Sequence, residues 1–286
     1  MYDCHFDLVL WDEIPPMVGF PPARELLTKA LAIDGGLAEA HTSLAAIREL
    51  FEWDFEGAEA AYRRSISLNP NSALSRRRYA DYLARLGRWG EALEEVRLAQ
   101  LTDPLPGLIN FKLGRILYYA RQYERTVDLC RETLAINPHV GGPYVLSAIA
   151  LIKLGRADEA VEAAQKGRAL MSNSVEALSN VGYINGAAGR RKEAYAVLEE
   201  LHALSQHRYV PHHMIAIVLA GLGDADATLD RLEMAYREKS TFMPALGTLP
   251  IFDDLRKDAR FRSLLERIGL PPGLRGETPP ALKREG

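Results

Sequence analysis

The feature that most constrains the fold of this chain is a spacing of 34 residues. Pro70, Pro104 and Pro138 are separated by that step, and continuing it reaches positions that each follow an amphipathic stretch: Ser172, Gln206 and Ser240. A fixed period of about 20–50 residues is typical of repeat architectures, in which one structural unit is stacked many times. The spacing therefore predicts an array of similar units.

Three further sets of residues recur at the same 34-residue spacing, and each set forms one column when the repeats are aligned. One is glycine with a single exception, Arg121, and holds Gly87, Gly155, Gly189 and Gly223. A second, seven positions earlier, is always alanine or glycine: Ala80, Gly114, Ala148, Gly182 and Ala216. A third, five positions after the glycine, is small: Ala92, Thr126, Ala160, Ala194 and Thr228. Glycine ends a first helix in the left-handed conformation, proline ends a second helix, and small residues let the two helices approach closely. The columns predict a repeated helix–turn–helix.

A 34-residue helix–turn–helix with these columns resembles the tetratricopeptide repeat. The stretches AEAHTSLAAIRELFEWDFEGAEAAYRRSISLNP and GRADEAVEAAQKGRAL carry the resemblance, which extends from about Ala23 to Ser240. It implies an all-α fold, a right-handed superhelical solenoid of helix pairs with a C-terminal capping helix. One extra residue falls near Leu50–Trp53. Six full repeats are expected to start near Ala38, Ala73, Gly107, Gly141, Val175 and Tyr209.

The repeats divide the chain into four segments. Residues 1–22 are expected to be a degenerate N-terminal segment, with a first helix near residues 4–17 that Pro15 and Pro16 disturb. Residues 23–240 form the array, in which ARELLTKALAID supplies the second helix of an additional half-repeat. Residues 241–270 are predicted to be capping helices, because FDDLRKDARFRSLLERIGL has apolar residues at helical spacing. Residues 271–286 contain four prolines and are predicted to be disordered.

The end of the chain has a narrower resemblance. The stretch RYVPHHMIAIVLAGLGDADATLDRLEMAYREKSTFMPALGTLPIFDDLRKDARFRSLLERIGLPP is similar to the close of a bacterial group of regulators. In that group a tetratricopeptide array forms the C-terminal half of a winged-helix DNA-binding regulator or a serine/threonine kinase. Neither a glycine-rich phosphate loop nor an HRD-like catalytic run occurs in this sequence, so the resemblance assigns it no DNA-binding or kinase activity.

Composition excludes several classes of function. The formal net charge is −3, with 48% hydrophobic and 26% charged residues, which gives no basic footprint for nucleic acid or an anionic membrane. The start of the chain lacks the basic and apolar segments of a secretory signal, and no run approaches the roughly 18 apolar residues of a membrane span. Only two cysteines are present, so no disulfide framework is encoded. We expect a cytoplasmic protein.

No group of residues indicates catalysis. The histidines His202, His207, His212 and His213 do not share a metal-binding spacing and are expected at helix ends or on the surface. Cys130 is expected to be a buried structural thiol. The acidic pairs Glu94–Glu95 and Glu199–Glu200 are interpreted as solvated helix faces, and Arg76–Arg78 would fan around a helix instead of forming one basic face. The sequence thus predicts no enzyme, no cofactor and no metal site.

The resemblance implies a concave groove lined by the first helices. Mapping the inward-facing positions of the family gives these candidate partner-binding residues: Arg77, Asp81, Arg85, Phe111, Arg115, Tyr118, Tyr119, Ile149, Lys153 and Tyr183. Aromatic residues and arginine are the types enriched at binding hot spots. The two-carboxylate clamp of chaperone-binding relatives is not supported, because its lysine and asparagine positions hold other residues.

Three functions follow as hypotheses. The leading one is a non-catalytic scaffold that binds a peptide or helix of a partner protein in the groove, and the basic inward residues favour an acidic segment. The alternative is a sensory or self-association module of a bacterial regulator or kinase system whose effector domain is absent from this chain. The third, an enzyme or small-ligand binder, is disfavoured because no polar constellation converges, and a deep pocket inside the groove would revive it.

Overall fold

In the computed structural model, residues 2–10, 12–102 and 106–276 are described, apart from the side chains of 2–5 and 106–109. Over those ranges the chain is helical and contains no β-strand, which confirms the predicted all-α superhelical fold. The α-helices are α1 Tyr2–Leu10, α2 Pro16–Ile33, α3 Ala38–Ile47, α4 Phe55–Leu68, α5 Ala73–Arg85, α6 Trp89–Thr102, α7 Pro106–Tyr119, α8 Tyr123–Ile136, α9 Gly141–Lys153, α10 Ala157–Leu170, α11 Val175–Ala187, α12 Arg191–Ser205, α13 His212–Gly221, α14 Ala225–Arg237 and α15 Ala259–Ile268.

Helices α3 to α14 form the six helix pairs. Four first helices begin at the residue the spacing predicts: Ala38, Ala73, Gly141 and Val175. Helix α13 begins three residues later than predicted because Pro211 occupies its extended N-cap position. The glycine column ends the first helices with backbone φ between 72° and 78°, the left-handed region that glycine adopts without cost. Local sequence therefore determines where most first helices begin and where four of the six end.

The extra residue of the first repeat is absorbed by a π-turn. After α3 the chain continues through a π-helical turn, Arg48–Glu52, and Trp53 then ends it with φ 60°. A π-turn accommodates one residue more than an α-turn, so the helix axis continues while the register shifts by one. The following helix, α4, starts normally, with the Asp54 side chain accepting a hydrogen bond from the Gly57 amide.

The N-terminal segment folds into a pair of helices, α1 and α2. The sequence predicts a degenerate segment over residues 1–22, so the structure is more regular than expected. Helix α1 ends before the prolines, and α2 begins at Pro16, seven residues earlier than the predicted start near Ala23. Pro21 and Pro22 lie inside α2 but are exposed, so water can reach the helical carbonyl groups that their missing N–H groups leave unpaired. Phe6, Phe20 and Leu27 bury their side chains in a separate apolar cluster.

The segment after α14 differs from the prediction of capping helices over 241–270. Helix α15 does pack on α14, and Arg267 pairs with Glu233 at 2.8 Å. Residues 241–258, by contrast, contain only two short 3-10 turns, Met243–Ala245 and Pro250–Leu255, and run along the concave side of the solenoid. We name residues 241–258 the return segment.

An ion pair holds the return segment against a distant repeat, and the turn after α15 packs on another repeat. Arg121 donates to both carboxylate oxygens of Asp253, at 2.6 and 3.2 Å, across 132 positions of sequence. Leu274 is buried in a 3-10 turn, Pro272–Leu274, where a Cβ on Gly87 would lie 3.1 Å from it. The turn is therefore held by the buried Leu274, in contrast to the disorder predicted from 271, and 277–286 lie outside the described residues.

The superhelix curls far enough for its first and last full repeats to touch. The ring of Trp53, at the end of the π-turn, lies 4.9 Å from the ring of Tyr236 in α14, and the Lys239 ammonium lies 3.4 Å above Trp53. The concave side is consequently enclosed on several sides. Within the described ranges, no helix combines the length and the apolar character needed to cross a membrane.

Candidate functional site

A cavity of about 780 Å³ lies on the concave side, between the first helices and the return segment. Helices α7, α9, α11 and α13 form one wall, and the return segment forms the opposite wall. Apolar side chains dominate both walls: Phe111, Val145, Leu146, Ile149, Ile217, Phe242, Leu249 and Ile251. Cavities of a few hundred to about 1,000 Å³ with such a lining commonly bind small molecules or inserted side chains.

The cavity opens at the edge of the solenoid where successive repeats are joined. Ile136 and Val140, in the turn between α8 and α9, line its rim and are 70% and 41% exposed. At the other end, near the C-termini of the first helices, Arg85 and Tyr119 line the wall together with Leu249 of the return segment. The space is thus a deep pocket with an apolar rim.

The structure assigns different environments to the ten predicted groove residues. Six of them line the cavity: Arg85, Phe111, Arg115, Tyr118, Tyr119 and Ile149. Asp81, Arg77, Lys153 and Tyr183 are not part of the lining. Tyr118 and Tyr119 are only 1% and 8% exposed, because neighbouring helices and the return segment cover most of their surface. Lys153 lies near Asp253 and Asp254, but burial lowers the pKa of its ammonium group.

Two acids of this chain neutralise basic residues beside the cavity: the predicted groove residue Arg85, and Lys112, which the sequence did not single out. Arg85 pairs with the buried Glu49 at 2.5 Å, and Lys112 pairs with Asp81 at 2.5 Å. Burial opposes ionisation of Asp81, but Lys112 and Arg115 outweigh it and lower the pKa of the carboxyl group. These pairs satisfy one another and leave little charge for a partner.

Arg115 differs from these basic neighbours. One of its terminal nitrogens donates to the Tyr119 hydroxyl at 3.2 Å, and the guanidinium lies 5.9 Å from the centre of that ring. Among the described residues, no carboxylate oxygen lies within 4.0 Å of it. The pKa of Arg115 is raised, first by Tyr119 and then by Asp81 and Glu176. A half-buried, permanently charged donor therefore lies on the cavity wall.

Acidic residues lie elsewhere on the same wall. Asp12, in the turn between α1 and α2, and Glu176, in the first turn of α11, both line the cavity. Burial, followed by the charges of Glu176 and Glu238, raises the pKa of Asp12 to about 7. Within the described part of the chain, neither carboxylate of this lining pair has an ion-pair partner. Sequence analysis named neither residue. Asp12 lies outside the repeats and gives no signal, whereas Glu176 occupies the second position of its repeat, an inward-facing phase that could have pointed to it.

The remaining candidate groups have structural roles. His213 is buried and hydrogen-bonded to Ser240 at 2.8 Å, its ring stacks on Phe242 at 4.5 Å, and burial lowers its pKa to about 3. Across the described residues, no three His, Cys, Asp or Glu side chains are arranged to hold a metal ion. Cys130 is buried, as predicted, and burial raises the pKa of its thiol to about 12. Cys4 lies outside the described side chains.

Known proteins share this architecture. PilW, a widely conserved type IV pilus biogenesis factor, matches with a TM-score of 0.55 and 20% identity, over 72% of this chain and 94% of its own. A tetratricopeptide repeat protein from Parabacteroides merdae matches with a TM-score of 0.58 and 13% identity, over 93% of this chain and 96% of its own. At such identities the likeness concerns the fold alone, which is that of a tetratricopeptide repeat solenoid.

A sequence match points to the same repeat. Small glutamine-rich tetratricopeptide repeat-containing protein 2 of Mycosarcoma maydis is 27% identical over 85 residues, which cover 30% of this chain and 24% of the fungal protein. The match thus spans about a quarter of that relative's length. No protein-family model matches the chain. The resemblance to winged-helix regulators and kinases stays a prediction.

Proposed function

We propose that this protein is a non-catalytic interaction scaffold that binds a segment of a partner protein at the mouth of the concave cavity. The observation that carries the proposal is the cavity itself, a space of about 780 Å³ lined by inward-facing residues of successive first helices. Phe111, Arg115 and Tyr119 are of the residue types that dominate binding energy in protein interfaces, and they lie in a concave, largely desolvated site. An apolar side chain of the partner would enter this space.

The rim supports the same role. Ile136 and Val140 extend the apolar surface outward, so that a segment whose side chain enters the cavity would also cover them. Of the predicted basic residues, Arg85 and Arg115 line the cavity, and Arg85 already pairs with Glu49, so the preference for an acidic segment expected from sequence rests on Arg115. One carboxylate next to an apolar side chain is therefore the partner feature that we expect.

Affinity capture from the source organism, followed by mass spectrometry and calorimetry with the captured partner, tests the proposal. Val140→Arg should weaken binding at least tenfold, because it places a charge on the apolar rim, and it should leave the fold intact because the side chain is exposed. Leu101→Arg is the matched control, at an exposed position on α6 that does not line the cavity. Equal binding by the wild type and Val140→Arg would exclude the mouth as the docking site.

Self-association is a second candidate, and one observation favours it. Met17 and Val18, on the outer face of α2, are 55% and 59% exposed, and Leu26, two turns further along, is 38% exposed. An apolar strip at the end of a solenoid is a surface on which a second copy can stack. Sedimentation equilibrium of the wild type and Val18→Asp tests this: a dimer that Val18→Asp dissociates supports it, and a concentration-independent monomer contradicts it.

A further inference from the structure

We propose that the cavity is a binding site for a small zwitterion with an apolar body, the chemistry shared by free apolar amino acids and short apolar peptides. Its carboxylate would bind Arg115, its ammonium group would bind Asp12 and Glu176, and its body would occupy the apolar space between them. This inference goes beyond the proposed scaffold role, because a ligand of this size can bind inside the cavity without any partner protein.

Arg115 is identified as the carboxylate-binding residue by comparing it with the neighbouring basic side chains. Arg85, Lys112 and Arg121 each have a carboxylate oxygen within 2.6 Å. Arg115, which lies among them, has none within 4.0 Å in the described ranges, and only one of its nitrogens donates to a neighbouring side chain. Arginine binds carboxylates through two parallel hydrogen bonds, so the remaining donors of Arg115 suit such a group.

The acidic side of the site holds two carboxylates that repel each other. Asp12 and Glu176 come from segments far apart in sequence, and the charge of Glu176 contributes to the raised pKa of Asp12. Two polar neighbours add no positive charge here: His213 is neutral at physiological pH, and Asn180 donates to the Glu176 backbone carbonyl. An ammonium group placed here would remove the repulsion between the two carboxylates and gain two charge-assisted hydrogen bonds.

The space between the charged sides is apolar. Phe111 and Ile149 project from the first helices, and Phe242 and Ile251 face them from the return segment. Opposite charges on the wall, none of them in an ion pair among the described residues, favour a neutral zwitterion over an ion of one sign, because either single ion would leave one side of the site without a partner. The apolar body supplies the buried area, and the two charged ends fix its orientation.

Titration calorimetry of the full chain with four probes tests this assignment. The probes are L-leucine, trileucine, N-acetyl-trileucine and trileucinamide. At least one of the two free-ended probes should bind, and the comparison between them distinguishes an amino acid from a short peptide as the source. The two blocked probes lose one charge each and should bind at least tenfold more weakly than trileucine if trileucine is the ligand. Absence of binding by both free-ended probes would overturn the inference, as would N-acetyl-trileucine binding as tightly as a trileucine that itself binds.

Variants connect the affinity to the proposed residues. For the free-ended probe that binds, Arg115→Gln should weaken binding at least tenfold, and it should leave the weak affinity for trileucinamide unchanged. Glu176→Gln should act in the same way on the other end, lowering the affinity of the free-ended probe and sparing N-acetyl-trileucine. The control is Arg97→Gln on α6, whose exposed side chain pairs with Glu94 away from the cavity. Thermal unfolding checks each variant, and Glu176→Gln carries the test if Arg115→Gln is unfolded.

The outcomes separate this inference from the proposed scaffold role. If a free-ended probe binds and Val140→Arg leaves partner capture unchanged, the zwitterion site stands and the scaffold proposal fails. If no probe binds and Val140→Arg abolishes partner capture, the scaffold proposal stands and the zwitterion site fails. An unchanged affinity in both Arg115→Gln and Glu176→Gln would contradict the proposed orientation of the ligand.

Discussion

Two residues other than glycine end first helices in the left-handed conformation, and both contact the C-terminal part of the chain. Arg121 and Trp53 have φ values of 61° and 60°, a conformation that costs a residue with a Cβ about 1 kcal/mol. Glycine would avoid that cost, as it does in four other repeats. Their side chains offset it: Arg121 binds Asp253 of the return segment, and Trp53 packs between Tyr236 and Lys239.

The Arg121–Asp253 pair should be energetically coupled. A double-mutant cycle with Arg121→Ala, Asp253→Ala and the double variant should give a coupling free energy of about 1–3 kcal/mol in urea unfolding, because the hydrogen bonds are bidentate and the arginine is largely buried. The exposed pair Arg131 and Asp128 is the matched control and should give less than about 0.5 kcal/mol. Equal coupling in the two cycles would show that the return segment is not anchored by this pair.

Close approach of α11 and α13 makes Gly221 the most sensitive of the small residues. A Cβ there would press on the carbonyl oxygen of Tyr183 and lie 2.7 Å from its Cα, and backbone atoms cannot move aside as a side chain can. We expect Gly221→Ala to lower the free energy of unfolding by about 1–3 kcal/mol. Gly90→Ala is the control, since a Cβ there meets no atom within 4 Å and helix propensity favours alanine.

Asp12 should destabilise the ligand-free protein at high pH. Its pKa is about 7 in the fold against 3.8 unfolded, so the cost of ionising it is fully present above pH 7 and absent below about pH 4. Asp12→Asn should therefore raise the free energy of unfolding by about 1–3 kcal/mol at pH 8, with the gain disappearing toward pH 4. Asparagine also tolerates the φ of 57° at this position.

Chemical denaturation across this pH range measures the effect. The control is Asp128→Asn, which removes an exposed carboxylate on α8 and should show no comparable pH-dependent gain. A pH-independent difference between Asp12→Asn and the wild type would mean that the Asp12 carboxyl group is not perturbed in the fold.

The sequence predicted which side of the solenoid a residue faces better than it predicted which other elements bury that residue. The inward phase of Tyr118 and Tyr119 follows from the 34-residue register, yet their near-complete burial depends on the return segment, which has no period to extrapolate. The same limit applies to Arg115. Its position on a first helix is predictable, whereas the absence of a carboxylate within ion-pair distance in the described structure depends on how distant elements meet.

At the level of elements, local residues determine the conformation of the repeats, whereas contacts with distant residues determine that of the return segment. Glycine, proline and small residues set each helix pair locally, so their bounds were predictable to within a few residues. Apolar residues of the return segment, such as Phe252 and Leu255, also have helical spacing, which indicated a capping helix. They instead lie in a 3-10 turn that starts at Pro250, and both side chains are buried in the apolar core shared with the repeats.

Leu274 should contribute to stability although it lies near the end of the chain. It is 5% exposed, and its carbonyl accepts a hydrogen bond from Arg256 at 3.5 Å. A chain ending at Pro271 should melt a few degrees below one ending at Gly276, since burying a leucine contributes about 2 kcal/mol. Leu274→Ala in the full chain should reproduce most of that loss. Identical melting of the two truncated chains would mean that this turn is not packed in solution.

For the whole molecule, the contact between the first and last full repeats could not be predicted from the sequence. The period specifies how each repeat packs on the next, and small angular differences accumulate over six units before the first meets the last. Trp53→Gly removes one side of that contact and keeps the left-handed backbone. Small-angle X-ray scattering should show a larger radius of gyration for this variant than for the wild type. Tyr195→Ala, which removes an exposed aromatic ring on α12, should leave the radius unchanged.

The pairing of Arg121 with Asp253 has a consequence for synthesis on the ribosome. An open solenoid can fold from its N-terminus as each repeat emerges, because every unit needs only its neighbour. Here the residue that anchors the return segment is made 132 positions after its partner. Until that residue has emerged, Arg121 has no carboxylate from this segment and the concave wall is incomplete. Nascent chains stalled before residue 253 should therefore expose apolar groove surface to chaperones, and chains released at full length should not.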